Sequence, residues 1–297
     1  GRAALRLLTA APRGSPAAMS AAPPVDVVPL FAPLHAALLD VLDGLDAAAW
    51  VAPTRAGAWR VRDVAAHLLD GELRELTVRR DGAWGDPPEG ALDSHAATMA
   101  YLGRLNADWV RAWRRVSPRV LRDLLAASGA EVAALYATLD PWAPAPFPVA
   151  WAGETASPTW FELGRQYTER WHHQQQIREA VGAPGLVEAR WMRPVLEVSL
   201  RALPHGYRDV AAEPGTTVAI VVRGEGGGRW TLARGVHGWA LAPGVAEGAA
   251  AAITLDADTA WRLLFRQLAP EEGARRVAAV GDPRLVAPYL RTLAVMA

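Results

Sequence analysis

Glu169 and His173 stand four residues apart in Thr168-Glu169-Arg170-Trp171-His172-His173, and a helix through this stretch brings both side chains onto one face. A carboxylate and an imidazole so placed form a chelating pair that lacks a third ligand. The chain offers one about a hundred residues upstream, at His67 in Val61-Arg62-Asp63-Val64-Ala65-Ala66-His67. Two histidines and one glutamate suit a catalytic zinc with an open position. Taken singly, each feature has a plainer reading: a Glu and a His four apart also make a surface ion pair, and a lone histidine on an apolar helix is a hydrogen-bonded core residue. The neighbours Trp59, Val64, Ala65, Ala66 and Leu68 turn His67 inward, however, where an imidazole needs a partner. His172 projects about 100° away from His173 and can back the ligands, line a pocket or face solvent. Trp171 lies between the ligands in sequence and is the tryptophan expected to line the pocket.

Composition narrows what such a centre can do. The length of 297 residues suits one large or two medium domains, and 51% hydrophobic with 21% charged residues describes a globular chain able to form a full core. The 31 basic residues balance 31 acidic ones, so nothing marks an electrostatic footprint for nucleic acid or an anionic membrane. All the basic residues are arginine, which removes Schiff-base chemistry and the lysine of a phosphate-binding loop. Cysteine is absent, so thiolate nucleophiles, disulfides and sulfur-ligated zinc drop out, and any thiol must be brought in. No stretch approaches the ~18 uninterrupted apolar residues of a membrane span. The expected location is the cytoplasm. Residues 1–24 read as a disordered or non-native leader, with Met19 as the natural start.

Positioning falls to helices. Leu30, Leu34, Leu38, Val41, Leu42 and Leu45 recur at threes and fours and predict a helix over Val27 to Leu45, followed by a loop from Asp46 to Gly57. Val61 to Arg80 forms the second helix, which carries His67. A glycine- and proline-rich loop over Asp81 to Gly90 leads to a helix over Ser94 to Val116, and Ser117-Pro118 caps another running to about Leu139. After the proline-rich break from Pro141 to Pro158, the long helix with Glu169 and His173 ends at Gly182, which fits a C-cap. Trp191 to Leu203 is one more helix. Past Pro204 the pattern changes: strands over Thr216 to Arg223 and Arg229 to Arg234 flank a glycine turn, another strand covers Ala251 to Leu255, and helices cover Asp258 to Leu268 and Pro283 to Val295. The predicted class is α+β, with a helical bundle over 25–204 and a small α+β domain over 205–297.

Other motifs carry less. Gly224-Glu225-Gly226-Gly227-Gly228 joins two strand-like runs instead of opening a helix, so it is a hairpin turn and not a dinucleotide fingerprint. No Gly-x-Ser-x-Gly elbow is present. Most of the 13 tryptophans, Trp109, Trp113, Trp160 and Trp191 among them, occupy inward or helix-start positions and serve packing.

Three stretches together resemble the mycothiol-dependent maleylpyruvate isomerase family: Trp59-x-Val61-x-Asp63-Val64-x-x-His67, the run from Thr168 to Gly182, and Trp261-Arg262-Leu263-Leu264. The resemblance extends from about Val27 to the C-terminus. It implies a DinB-like metal-binding four-helix bundle followed by a sterol-carrier-like α+β domain, of which Val280-Gly281-Asp282-Pro283 is typical. It further implies that His67, Glu169 and His173 hold a divalent metal, usually zinc, whose remaining sites are filled by water that a thiol can replace. The absence of cysteine fits an external low-molecular-weight thiol, mycothiol in this family. Addition of the thiolate to an activated carbon–carbon double bond, rotation and elimination would give an isomerase; retention of the adduct would give an S-transferase. The family's isomerases also use an arginine of the C-terminal domain, matched here to Arg266 as a clamp for a substrate carboxylate. Where the isomerases continue His-His-Val-Asp-Leu, this chain reads His172-His173-Gln174-Gln175-Gln176, which leaves the metal ligands intact and the substrate open. The expected protein is thus a metal- and mycothiol-dependent enzyme acting on a small carboxylate or electrophile. The alternatives are a non-enzymatic carrier of a small ligand and a zinc hydrolase using bound water.

Overall fold

The first helix follows its apolar stripe: Phe31, Leu34, Leu38 and Leu42 are the buried positions of α1 (Phe31–Asp43). A computed structural model describes residues 23–83, 85 and 95–295. The leader expected over 1–24 falls outside this range except for Pro23 and Pro24, as do Ser94 and most of the loop from Asp81 to Gly90. Within the stretch expected as a loop, the Asp46 carboxylate accepts from Ala49 N at 2.7 Å and caps the single turn α2 (Ala47–Trp50). Helix α3 (Val61–Glu75) continues as a π-helical turn over Leu76–Arg80, so the expected span to Arg80 is filled with a wider last turn.

Helix α4 (His95–Trp113) is followed by α5 (Pro118–Tyr136), which Ser117 caps by accepting from Val120 N, with Pro118 in the first turn. Helix α6 (Thr159–Val181) spans 23 residues and stops at Gly182, whose φ of +68° is the left-handed conformation a helix C-cap requires. Helices α1, α5, α3 and α6 pack in a closed ring, and α4 lies against α3. Because Arg79 meets Glu162, Glu75 meets Gln166 and His67 meets Glu169, α3 and α6 run antiparallel.

Past α7 (Ala189–Ser199) and the short α8 (Leu203–Gly206) come β1 (Thr217–Arg223), β2 (Gly228–Arg234), β3 (Trp239–Pro243) and β4 (Ala251–Asp256). Then follow α9 (Ala257–Leu264), α10 (Pro270–Arg276), β5 (Ala278–Gly281) and α11 (Pro283–Arg291). The five strands form one mixed sheet in the order β3-β2-β1-β4-β5, antiparallel except for the parallel β1–β4 pair. The α+β class is therefore as the sequence predicts, with the hairpin β1–β2 in place of any nucleotide loop.

Several elements differ from expectation. The helix expected over Asp258 to Leu268 ends at Leu264, because Arg266 adopts a left-handed backbone (φ +55°) and turns the chain toward α10. Strands β3 and β5 and helix α10 are additional. The last helix closes at Arg291 instead of Val295, with Thr292 already extended.

One hydrophobic core runs through both parts of the molecule, from Phe31 and Tyr167 through Trp171 and Trp191 to Trp230 and Trp261. At its centre α9 lies against α6: the rings of Trp171 and Trp261 meet edge to face at 5.2 Å, and Trp171 touches Phe265 at 6.4 Å. Each such pair contributes about 0.5–1.5 kcal/mol beyond its buried area. Arg262 extends the junction at the surface by pairing with Glu179 of α6.

Candidate metal centre

His67 lies in the second turn of α3, and the start of that helix is tightly fixed. The Asp63 carboxylate accepts from Arg60 N at 3.1 Å and takes a bidentate pair of bonds from Arg114 at 3.0 Å each. One turn on, Trp109 Nε1 donates to Ala66 O at 2.8 Å. Across the bundle, α6 presents Glu169 and His173 on the face toward α3. Glu169 Oε1 lies 3.0 Å from His173 Nε2 and 3.3 Å from His67 Nε2. Ligand atoms of all three residues fall within 4.8 Å of one another. Bonds of about 2.0–2.1 Å in a tetrahedral arrangement separate donor atoms by ~3.3 Å, so the donor set fits a divalent ion of zinc's size.

Electrostatics also favour a cation. Burial pushes the Glu169 carboxyl up, but His173 and His67 together outweigh it and hold the group well below the usual carboxylate range. Burial lowers the pKa of His67, keeping its imidazole neutral, whereas at His173 the carboxylate and Gln176 overcome burial and raise it. The imidazoles are nearly enclosed, with 9% and 11% of their side chains exposed, while Glu169 is 36% exposed. The centre thus opens on the Glu169 side. Its wall is Trp59, whose partly exposed indole lies 5.0 Å from the His67 ring and 6.4 Å from the His173 ring.

The surroundings of the two histidines differ. His67 Nδ1 has no hydrogen-bond partner among the described residues; its ring is held by contact with Trp59 and, at 4.7 Å, with His173. His173 Nδ1 is 2.8 Å from Gln176 Oε1, and Gln176 Nε2 is 3.1 Å from His172 Nε2. His172 is therefore buried behind the ligands and does not face solvent. Burial, then the charge of neighbouring His173, lowers its pKa to about 3. Its ring packs on Phe265 at 4.9 Å.

Below the centre, polar side chains continue along the α3–α6 seam. Glu72 accepts from Ser128 Oγ at 2.5 Å and meets His35 Nδ1 at 3.2 Å. Glu75 takes bonds from Gln166 and Arg79, both at 2.6 Å. The fully buried Glu162 pairs with Arg79 and Arg165. These residues sit at successive turns of both helices and set the register that brings His67 opposite Glu169.

The structure brings together His67, Glu169 and His173, the three residues expected as metal ligands. Trp171 does not line the pocket: two residues from each ligand on a helix, it points roughly 160–200° away, buries against α9 and donates from Nε1 to Leu186 O at 3.0 Å. The pocket tryptophan is Trp59. Arg266 is exposed just beyond α9, and among the described residues no hydrogen bond or ion pair joins it to His67, Glu169 or His173. Gln176 is the site residue that sequence reasoning passed over, although its spacing of three from His173 and four from His172 was there to be read.

Fold and site together define a helical bundle with a candidate divalent-metal triad in its interior, joined to an α+β layer that covers one side of the ligand helix. Residues 31–178 match the family model described as the mycothiol maleylpyruvate isomerase N-terminal domain, and this part of the chain belongs to that family. Among solved structures it is similar to the mycothiol-dependent maleylpyruvate isomerase and to a mutant of that protein. Each match has 14% identity and a TM-score of 0.50, over 85% of this chain and 90% of the other. This likeness establishes the shared fold. Comparison with curated proteins finds no match. Among the described residues no helix is long and apolar enough to cross a membrane.

Proposed function

We propose that this chain is a metal- and mycothiol-dependent enzyme, an isomerase or S-transferase acting on a small electrophilic or carboxylate-bearing substrate in the cytoplasm. The observation that carries this reading is the convergence of His67, Glu169 and His173 in a cysteine-free chain whose residues 31–178 belong to a mycothiol isomerase family. A divalent ion, zinc by its donor set, would supply Lewis-acid activation that keeps an incoming thiol deprotonated at neutral pH. The residues of the chain do the rest. Glu169 would supply the one negative charge among the ligands, His67 and His173 would hold the ion from the protein side, and the opening beside Glu169 would admit thiol and substrate. Trp59 offers an aromatic wall to whatever occupies that opening. Arg266, exposed just beyond α9, is the proposed carboxylate clamp. Isomerisation needs no net change in composition: the sulfur bonds to one alkene carbon, the remaining single bond rotates, and cleavage of the carbon–sulfur bond restores the alkene and the thiol. An S-transferase would instead protonate the neighbouring carbon and release the thioether.

Cobalt-substituted protein tests the proposal. Mycothiol is expected to add a sulfur-to-cobalt charge-transfer band to the absorption spectrum. A spectrum unchanged by saturating mycothiol would overturn thiol coordination; hydrolysis by the same sample would then identify a zinc hydrolase, and tight retention of a small ligand without turnover a carrier.

A further inference from the structure

Gln176 is almost fully buried, with 3% of its surface exposed, and both ends of its amide are engaged. Its Oε1 meets His173 Nδ1 at 2.8 Å and its Nε2 meets His172 Nε2 at 3.1 Å. With the amide oxygen toward Nδ1, as placed, His173 carries a proton on Nδ1, the same tautomer that binding of a metal at Nε2 requires. The reversed amide would donate to His173 Nδ1 and so place that ring's proton on Nε2, which closes Nε2 to a metal, and it would need His172 to carry its proton on Nε2. His172 is in turn held by α9, with its ring against Phe265 at 4.9 Å and Trp261 at 6.2 Å.

We propose that Gln176 is the positioning residue of the metal centre: it fixes the tautomer and orientation of His173 and ties that ligand, through His172, to helix α9 of the C-terminal layer. This rests on the reading of His67, Glu169 and His173 as metal ligands. The asymmetry of the site adds weight, since among the described residues His67 Nδ1 lacks any such partner and the hydrogen-bonded control of ligand geometry falls on His173. The Gln174-Gln175-Gln176 run thereby divides by role. Gln174 Nε2 donates to Leu34 O at 2.9 Å and Gln175 Oε1 accepts from Leu186 N at 2.9 Å, both fastening α6 to its neighbours. Only Gln176 reaches a ligand.

The test is competition between the full-length protein and a chromophoric chelator for zinc, with no thiol or substrate present. Gln176→Leu is expected to weaken zinc binding by about 10–100-fold, the usual cost of losing the partner of a ligating histidine. Gln176→Glu, which still accepts from Nδ1 but sets a second oxygen against His172 Nε2, is expected to lose clearly less zinc affinity than Gln176→Leu. Thermal unfolding of the metal-free variants separates this from a packing role. Wild-type affinity in Gln176→Leu, or equal losses of affinity and stability in both variants, would overturn the proposal while leaving the metal centre standing. Failure of the wild-type chain to bind zinc would overturn the metal centre and the proposal together. If Gln176→Leu does not fold, the nitrogen NMR shifts of His173 in zinc-loaded wild type decide: an Nδ1-protonated ring supports the assignment, and an Nε2-protonated ring contradicts it.

Discussion

Replacing Glu169 by alanine is expected to yield a folded protein that has lost its divalent ion. The imidazoles of His67 and His173 converge on Glu169 Oε1, at 3.3 and 3.0 Å, and among the described residues no other carboxylate joins the cluster. Its removal leaves two neutral nitrogens facing each other with no charge to balance a dication. The about 10–16 kcal/mol of a four-ligand zinc site, shared evenly, gives about 3 kcal/mol per ligand, or roughly a hundredfold in affinity. The carboxylate should exceed that share. Elemental analysis of protein purified without chelator checks this, with His67→Ala in parallel and circular dichroism as the control for folding. Both variants should fall from about one ion per chain to background. Full retention by either would remove that residue from the ligand set.

A second large effect is expected far from the opening, at Glu162. Its side chain is fully buried and receives Arg79, itself only 5% exposed, and Arg165. Gln166 Nε2 adds a bond at 3.1 Å. Glu162→Ala leaves buried guanidinium groups short of a counter-charge, which costs about 3–5 kcal/mol where the partner cannot reach water. In thermal unfolding of metal-free protein this corresponds to a drop of roughly 10 °C. A change below about 1 kcal/mol, the size expected of an exposed ion pair, would contradict a buried network. Because Glu75, Arg79, Glu162 and Gln166 lock successive turns of α3 and α6, the same variant should also loosen the register that aligns His67 with Glu169.

How far the site could be read in advance depended on the kind of signal each residue leaves. The i,i+4 spacing of Glu169 and His173 and the apolar neighbours of His67 are local patterns, and the clustering of the three side chains followed from them. The Ser117-Pro118 start and the Gly182 stop were equally local. Trp171 misled because adjacency in sequence opposes adjacency in space on a helix. The charged seam left no pattern that separates it from a solvated face: Glu162 and Arg170 look like surface residues until Arg79, in the turn that continues α3, pairs with Glu162 and Tyr136 of α5 accepts from Arg170. In the C-terminal layer β3 is only five residues long, and β5 is a fully exposed edge of small residues, Ala278-Ala279-Val280-Gly281, whose strand character comes from pairing with β4. The end of α9 depends on one residue, Arg266, adopting a backbone conformation that arginine does not advertise.

The measurement that bears most directly on the central claim is zinc-edge X-ray absorption on the zinc-loaded wild-type chain, before and after mycothiol. Two imidazole nitrogens and a carboxylate oxygen are predicted at about 2.0–2.1 Å, joined on addition of the thiol by a single sulfur at about 2.3 Å. A bound ion that lacks imidazole scattering would contradict His67 and His173 as ligands, and a shell in which no sulfur appears would contradict the thiol chemistry assigned to the site.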